Sequence, residues 1–194
     1  MKIYDTVFNF TGSMMTRPLT DMIVLHHRAG DGDVLSIHNG HIKNGWSGIG
    51  YHFYVRKDGS IYRGRPIEKI GAHTEGFNSK SVGICFEGNF EIDKMSREQK
   101  EAGRLLIAHI QESYGRKLKV FKHSDLCATA CPGKNLPFDE LIKISDDETV
   151  LKMYNDGIIT FNNVSNWELF LSGEAKAKGD YIRTVIRRYQ KKIG

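Results

Sequence analysis

The stretch Lys122-His123-Ser124-Asp125-Leu126-Cys127-Ala128-Thr129-Ala130-Cys131-Pro132-Gly133 constrains this chain more than any other. It sets an imidazole and a thiol eight positions apart across a short loop. A second imidazole can come from far upstream, where the apolar run Ile23-Val24-Leu25 ends abruptly in His26-His27. Neutral imidazole and thiolate are both good zinc ligands, and three protein ligands leave the fourth tetrahedral position free for water. That free position separates a catalytic metal site from a structural one, so the residues point to a His/His/Cys site of hydrolytic type holding one Zn2+ ion. Three cysteines, Cys85, Cys127 and Cys131, cannot all pair. A Cys127–Cys131 bridge is the alternative in an oxidising compartment, whereas a chain made in the reducing cytosol favours Cys131 as ligand beside a free Cys127.

A chain of 194 residues is long enough to bury one proper core with a small appendage. Its apolar and charged fractions, 40% and 26%, are those of an ordinary soluble protein. No apolar run approaches the roughly 20 residues of a transmembrane segment. The N-terminus, Met1-Lys2-Ile3-Tyr4-Asp5, has an early acid and no apolar h-region, so it does not read as a secretory signal. The expectation is a protein made in the cytoplasm. The formal charge of +5 favours an acidic partner without naming one. No nucleic-acid module is recognisable, and the first 150 residues carry no dense basic face, so nucleic acid is not expected as a partner.

Residues 1–20 show no clear period and read as an irregular lead-in. Met22 to His26 reads as a buried strand, and Asp33 as the N-cap of a helix reaching about Lys43, closed by Gly45. Gly50 to Arg56 and Ile61 to Arg63 form a hairpin around Asp58-Gly59, and Ser81 to Glu87 is a further strand. Ser96-Arg97-Glu98-Gln99 has the spacing of a capping box and opens a helix to Tyr114. Leu118 to Phe121 then delivers His123 at a strand exit. This order predicts an α/β domain over residues 1–144, a mixed central β-sheet flanked by helices.

Past Phe138 the character changes. Residues 145–194 read as about three helices, a small C-terminal helical appendage. Its last helix sets Arg183, Arg187, Arg188, Lys191 and Lys192 opposite an apolar face. A solvated packing helix is the plain reading of that pattern, and a surface for an anionic cell-wall polymer is the sharper one.

Five blocks, in order, carry a resemblance: Ile23 to His27, Gly45-Trp46-Ser47-Gly48-Ile49-Gly50-Tyr51-His52-Phe53, Gly71-Ala72-His73-Thr74-Glu75-Gly76-Phe77-Asn78, Ser81-Val82-Gly83-Ile84, and His123 through Gly133. Over roughly residues 20–142 the chain resembles the zinc-dependent N-acetylmuramoyl-L-alanine amidases, the branch holding phage lysozyme-type amidases and peptidoglycan recognition proteins. The resemblance implies hydrolysis of the amide between the lactyl group of N-acetylmuramic acid and L-alanine, with peptidoglycan as substrate. Its alternative is a peptidoglycan-binding module without catalysis; such relatives typically lose the cysteine ligand, which is present here as Cys131. With no signal sequence recognised, it further implies a phage or prophage endolysin that reaches the cell wall after release, with a host autolysin as runner-up.

Carried over by position, the metal ligands are His26, His123 and Cys131. Strand alternation allows only one of His26 and His27 to face the ion, and the family's ligand is the first. Tyr51 matches a tyrosine near the developing oxyanion, and Thr129 a position that is lysine or threonine in different relatives. His73 and Asn78 match cleft-lining, substrate-contacting positions, with loop ordering as their other reading. His52 points to the face opposite Tyr51 and reads as a packed histidine. A related branch places a catalytic glutamate where Cys85 stands here; Glu87, two residues on, reads as a salt-bridge partner more than as its substitute.

Overall fold

The computed structural model describes residues 2–142. The helices expected over 145–194, with their basic face, lie outside the described residues.

Six strands form one sheet in the order β1-β4-β3-β5-β2-β6. They are β1 (Ile3–Tyr4), β2 (Met22–His27), β3 (Phe53–Val55), β4 (Ile61–Arg63), β5 (Ser81–Phe86) and β6 (Lys119–Lys122). Among the described residues three α-helices accompany them: α1 (Val34–Lys43), α2 (Arg97–Ser113) and the short α3 (Phe138–Ile142). β3 and β4 pair antiparallel as the Asp58-Gly59 hairpin requires, and the remaining pairs are parallel. The sheet is therefore mixed, as the element order implied. Every residue of β2 and β5 is buried. Central parallel strands covered on both faces read as continuous apolar runs, which is how both appear in the sequence.

The caps act where the sequence put them. Asp33 accepts the Ser36 backbone N–H at 2.7 Å, and Ser96 accepts that of Gln99 at 3.1 Å. The second half of the expected capping box is replaced, because the Gln99 amide does not turn back on Ser96. It donates instead to the carbonyls of Val55 and Glu87, at 3.0 and 2.9 Å, and so ties α2 to the sheet. A buried amide with two carbonyls in reach is held more firmly there than on an exposed helix end.

The two faces of the sheet follow from strand alternation. Cys85 and Tyr54 point toward α1 and pack with Val34, Ile37 and Ile49. Phe86 points toward α2, where a Cβ on Gly103 would lie 2.6 Å from its ring, so only glycine lets the helix approach this closely. The lead-in is more ordered than its sequence suggests. Ile3 and Tyr4 form an edge strand beside Ile61 and Tyr62. Arg17 is buried and donates to the carbonyls of Ile67, Lys69 and Ser81, to the Thr20 hydroxyl and to the Tyr114 hydroxyl.

Candidate functional site

Register brings the proposed ligands together. Leu25 of β2 pairs with Lys122 of β6, so His26 and His123 leave neighbouring parallel strands at the same edge. The loop after β6 then returns Cys131 to that edge, where the Ser124 N–H donates to the Cys131 carbonyl at 2.8 Å. Ligand atoms of His26, His123 and Cys131 all lie within 4.8 Å of one another. His26 Nδ1 is 3.7 Å from Cys131 Sγ, and the His26 and His123 rings are 4.5 Å apart.

A tetrahedral zinc with ordinary bond lengths would hold nitrogen and sulfur roughly 3.5 Å apart, close to the spacing found here. His123 Nδ1 is buried with no hydrogen-bond partner, which is the state of a nitrogen reserved for a metal. The donor set therefore fits Zn2+. Burial drives the His26 pKa well below 6.5, reinforced by His123 and His27, and burial also lowers that of His123. Both rings are thus neutral and able to offer lone pairs. The Cys131 thiol is pushed up to about 11 by burial, so a cation is what would make it a thiolate here.

The neighbours divide into those that face the cleft and those that brace it. Tyr51 lies with its ring 5.1 Å from that of His26 and packs against the cluster that contains Cys85. Burial raises the Tyr51 pKa well above 10, so it remains a phenol donor. Thr129 is exposed on the loop, and its Oγ1 accepts the Cys131 N–H at 3.2 Å. A cleft of about 430 Å³ opens in front of His123, lined by Trp46, Thr74, Asn78, Cys127 and Thr129 among others.

His73 also touches this cleft, but it is 8% exposed and its ring sits behind His26, its Nδ1 3.0 Å from His26 Nε2. Asn78 spends its Oδ1 on the backbone N–H groups of His73 and Thr74, at 2.8 and 2.9 Å. Both line the cleft and both also hold the 73–78 loop, His73 against His26.

Other candidates are committed elsewhere. His27 accepts the Phe90 N–H at 3.1 Å on the opposite side of β2. His52, expected on the face opposite Tyr51, instead lies on the same side with its ring 5.6 Å from that of His73, because Tyr51 and His52 precede β3 and do not alternate as strand residues. It accepts the Gly83 N–H through Nδ1 and donates from Nε2 to the Lys69 carbonyl, and burial lowers its pKa to about 3. Cys85 is fully buried, and burial raises its thiol well above 9. Glu87 is buried; burial works to raise its pKa, but the N–H groups of Gly32 and Lys57 and the Arg56 guanidinium outweigh it and lower it. With 3.0 Å bonds to both N–H groups, its carboxylate is structural. Trp46, 44% exposed with its ring tilted 4.5 Å from that of His41, adds a wall to which sequence reasoning gave no role. Its signal there was its place in the Gly45–Phe53 block that carries the family resemblance.

Comparison with known proteins gives the family. Residues 15–134, more than half of the chain, match the family model described as N-acetylmuramoyl-L-alanine amidase. An endolysin of Klebsiella phage KP32 is 32% identical over 111 residues, covering 55% of this chain and 73% of that protein. Peptidoglycan-recognition protein SC2 of Drosophila melanogaster is 32% identical over 126 residues, covering 58% and 68%. The solved structure of N-acetylmuramoyl-L-alanine amidase LysC from Clostridium intestinale superposes with a TM-score of 0.70 at 37% identity, over 73% of this chain and 95% of that one. The fold and its strand-edge cluster thus define an α/β amidase. More specifically, the chain belongs to the N-acetylmuramoyl-L-alanine amidase family.

Proposed function

We propose that this chain is a zinc-dependent amidase that hydrolyses the bond between the lactyl group of N-acetylmuramic acid and L-alanine in peptidoglycan, lysing the bacterial cell wall. The observation that carries this reading is the convergence of His26, His123 and Cys131 with one buried, unpartnered imidazole nitrogen facing inward. A zinc ion held there would supply Lewis acidity at the scissile carbonyl and hydroxide near neutral pH.

The chain's own groups orient and polarise the bond, and the proton that the attacking water gives up is the one the departing L-alanine nitrogen takes. Tyr51, kept protonated by burial, donates its phenolic hydrogen to the carbonyl oxygen as negative charge develops. One such donor is worth about 10²–10³ in kcat. Thr129 orders the Cys131 loop through its accepting oxygen and keeps its own hydrogen free to face the cleft. His73 and Asn78 shape the opposite wall. Neither Cys85, a neutral thiol, nor Glu87, saturated with donors, acts as the general base.

Retention of Cys131 favours catalysis over the binding-only alternative. The test is release of new L-alanine N-termini from purified wall. Release that stops with a chelator and in Cys131→Ser supports the amidase, while wall binding without release favours the alternative. We further propose an endolysin's role, acting on the wall after release from the cytoplasm, with wall affinity supplied by residues 145–194 through an anionic polymer. Removing those residues is expected to leave zinc binding intact and weaken sedimentation with intact walls; unchanged sedimentation contradicts it.

A further inference from the structure

Behind the ligand cluster runs a buried chain of polar groups that the reaction itself does not use. His26 presents Nδ1 toward Cys131, which leaves Nε2 to carry its proton into the interior. There Nε2 meets His73 Nδ1 at 3.0 Å and, less closely, Thr74 Oγ1 at 3.3 Å, while the Thr74 hydroxyl also lies 2.9 Å from His73 Nδ1. His73 Nε2 lies 3.4 Å from Ser81 Oγ, and that hydroxyl donates to the Phe77 carbonyl at 2.8 Å. A carbonyl can only accept, so the proton positions on Ser81 and His73 are set from that end. Ser81 gives its hydrogen to Phe77, its oxygen takes that of His73 Nε2, and His73 Nδ1 is left as an acceptor for His26 Nε2–H.

The ring of His73 has little freedom to do otherwise. A Cβ on Gly83 would come within 2.6 Å of it and one on Gly71 within 2.4 Å. Both positions have negative φ, so glycine is there for space and not for conformation. Asn78 fixes the backbone of the same turn at 2.8 Å.

We propose that His73 is the positioning residue for His26, holding it in the tautomer whose Nδ1 lone pair faces His123 and Cys131 and thereby setting the affinity of the site for zinc. The proposal rests on the zinc reading above. Partners that orient a metal-bound histidine in this way typically account for about 10–100-fold in metal affinity.

The test is competition for Zn2+ between the full chain and a chromophoric chelator, with circular dichroism to confirm folding. His73→Leu is expected to lose about 10–100-fold in affinity. His73→Asn, whose Oδ1 can accept where Nδ1 does, should recover most of it, whereas His73→Gln, with its amide nearer the Nε2 position, should not. Gly83→Ala keeps the imidazole but displaces it, and should weaken zinc binding as well. In the cobalt-substituted protein, His73→Leu should also shift the visible d–d bands. Wild-type affinity in His73→Leu overturns the proposal, as does loss of affinity in Thr74→Val without loss in His73→Leu. If His73→Leu does not fold, equal affinities of the Asn and Gln variants overturn it. Failure of the wild-type chain itself to bind zinc would instead strike the site reading, a separate result.

Discussion

The two faces of the sheet are built from different materials. On the α2 side, Phe86, Leu106, Ile107 and Ile110 are fully buried, and helix and sheet close on each other around Gly103. On the α1 side, His26, His38, His52 and His73 are buried beside Tyr51 and Cys85, each ring held by specific nitrogen contacts. The first face is maintained by volume and area, the second by the direction of hydrogen bonds. Apolar packing tolerates a rotation of side chains that a directed network does not. Stability should therefore be concentrated on one face and chemistry on the other, and substitutions can separate the two.

The sharpest break is at the ligands. Cys131→Ser or His26→Ala should take amide hydrolysis below detection in a wall-digestion assay while near-native circular dichroism is retained. On the other face, Phe86→Ala removes a fully buried ring and should cost about 3–5 kcal/mol of stability in urea unfolding. Activity per folded molecule should then be close to wild type. If Phe86→Ala abolishes activity while the chain stays folded, the division between faces fails. Tyr51→Phe should lower kcat by about 10²–10³ with little change in KM or zinc affinity.

A smaller effect is expected in acid. His41 accepts the Gly50 N–H at 3.0 Å and has its pKa lowered to about 4, first by burial and then by Arg65 and His38. Folding therefore favours its neutral form, and the unfolded chain, titrating near 6.5, binds the extra proton. Stability contributed by neutral His41 is present above about pH 6.5 and is lost progressively toward pH 4. Glu87, whose pKa is lowered, adds a loss below about pH 4.5 with the same sign. His41→Asn, which keeps an acceptor but cannot titrate, should flatten the fall in Tm between pH 6.5 and 4; an unchanged slope would remove His41 from the account.

Much of this architecture could be read directly from local chemistry. Asp33 and Ser96 mark helix starts because a side-chain oxygen before an apolar stripe satisfies an orphan N–H. Asp58-Gly59 marks the hairpin because glycine accepts the positive φ of 82° found there. What escaped reading depends on partners distant in sequence. A two-residue strand such as Ile3–Tyr4 has no period, and only the exposed edge of β4 makes it one. Gln99 carries the pattern of a capping box, yet carbonyls 44 and 12 positions away claim its amide. His73 was legible as a cleft residue through the family blocks, but its contact with His26 spans 47 positions and follows only from β2 and β5 lying side by side. The order of parallel strands is a tertiary fact, and the buried histidine chain follows from it.

The central claim is that one zinc ion is held by His26, His123 and Cys131. Elemental analysis of protein purified without added metal tests it most directly. The account predicts about one zinc per chain in the wild type, lost in both Cys131→Ser and His123→Ala while the fold persists. A folded wild type free of zinc that still cleaves wall, or variants that keep the metal in full, would contradict it.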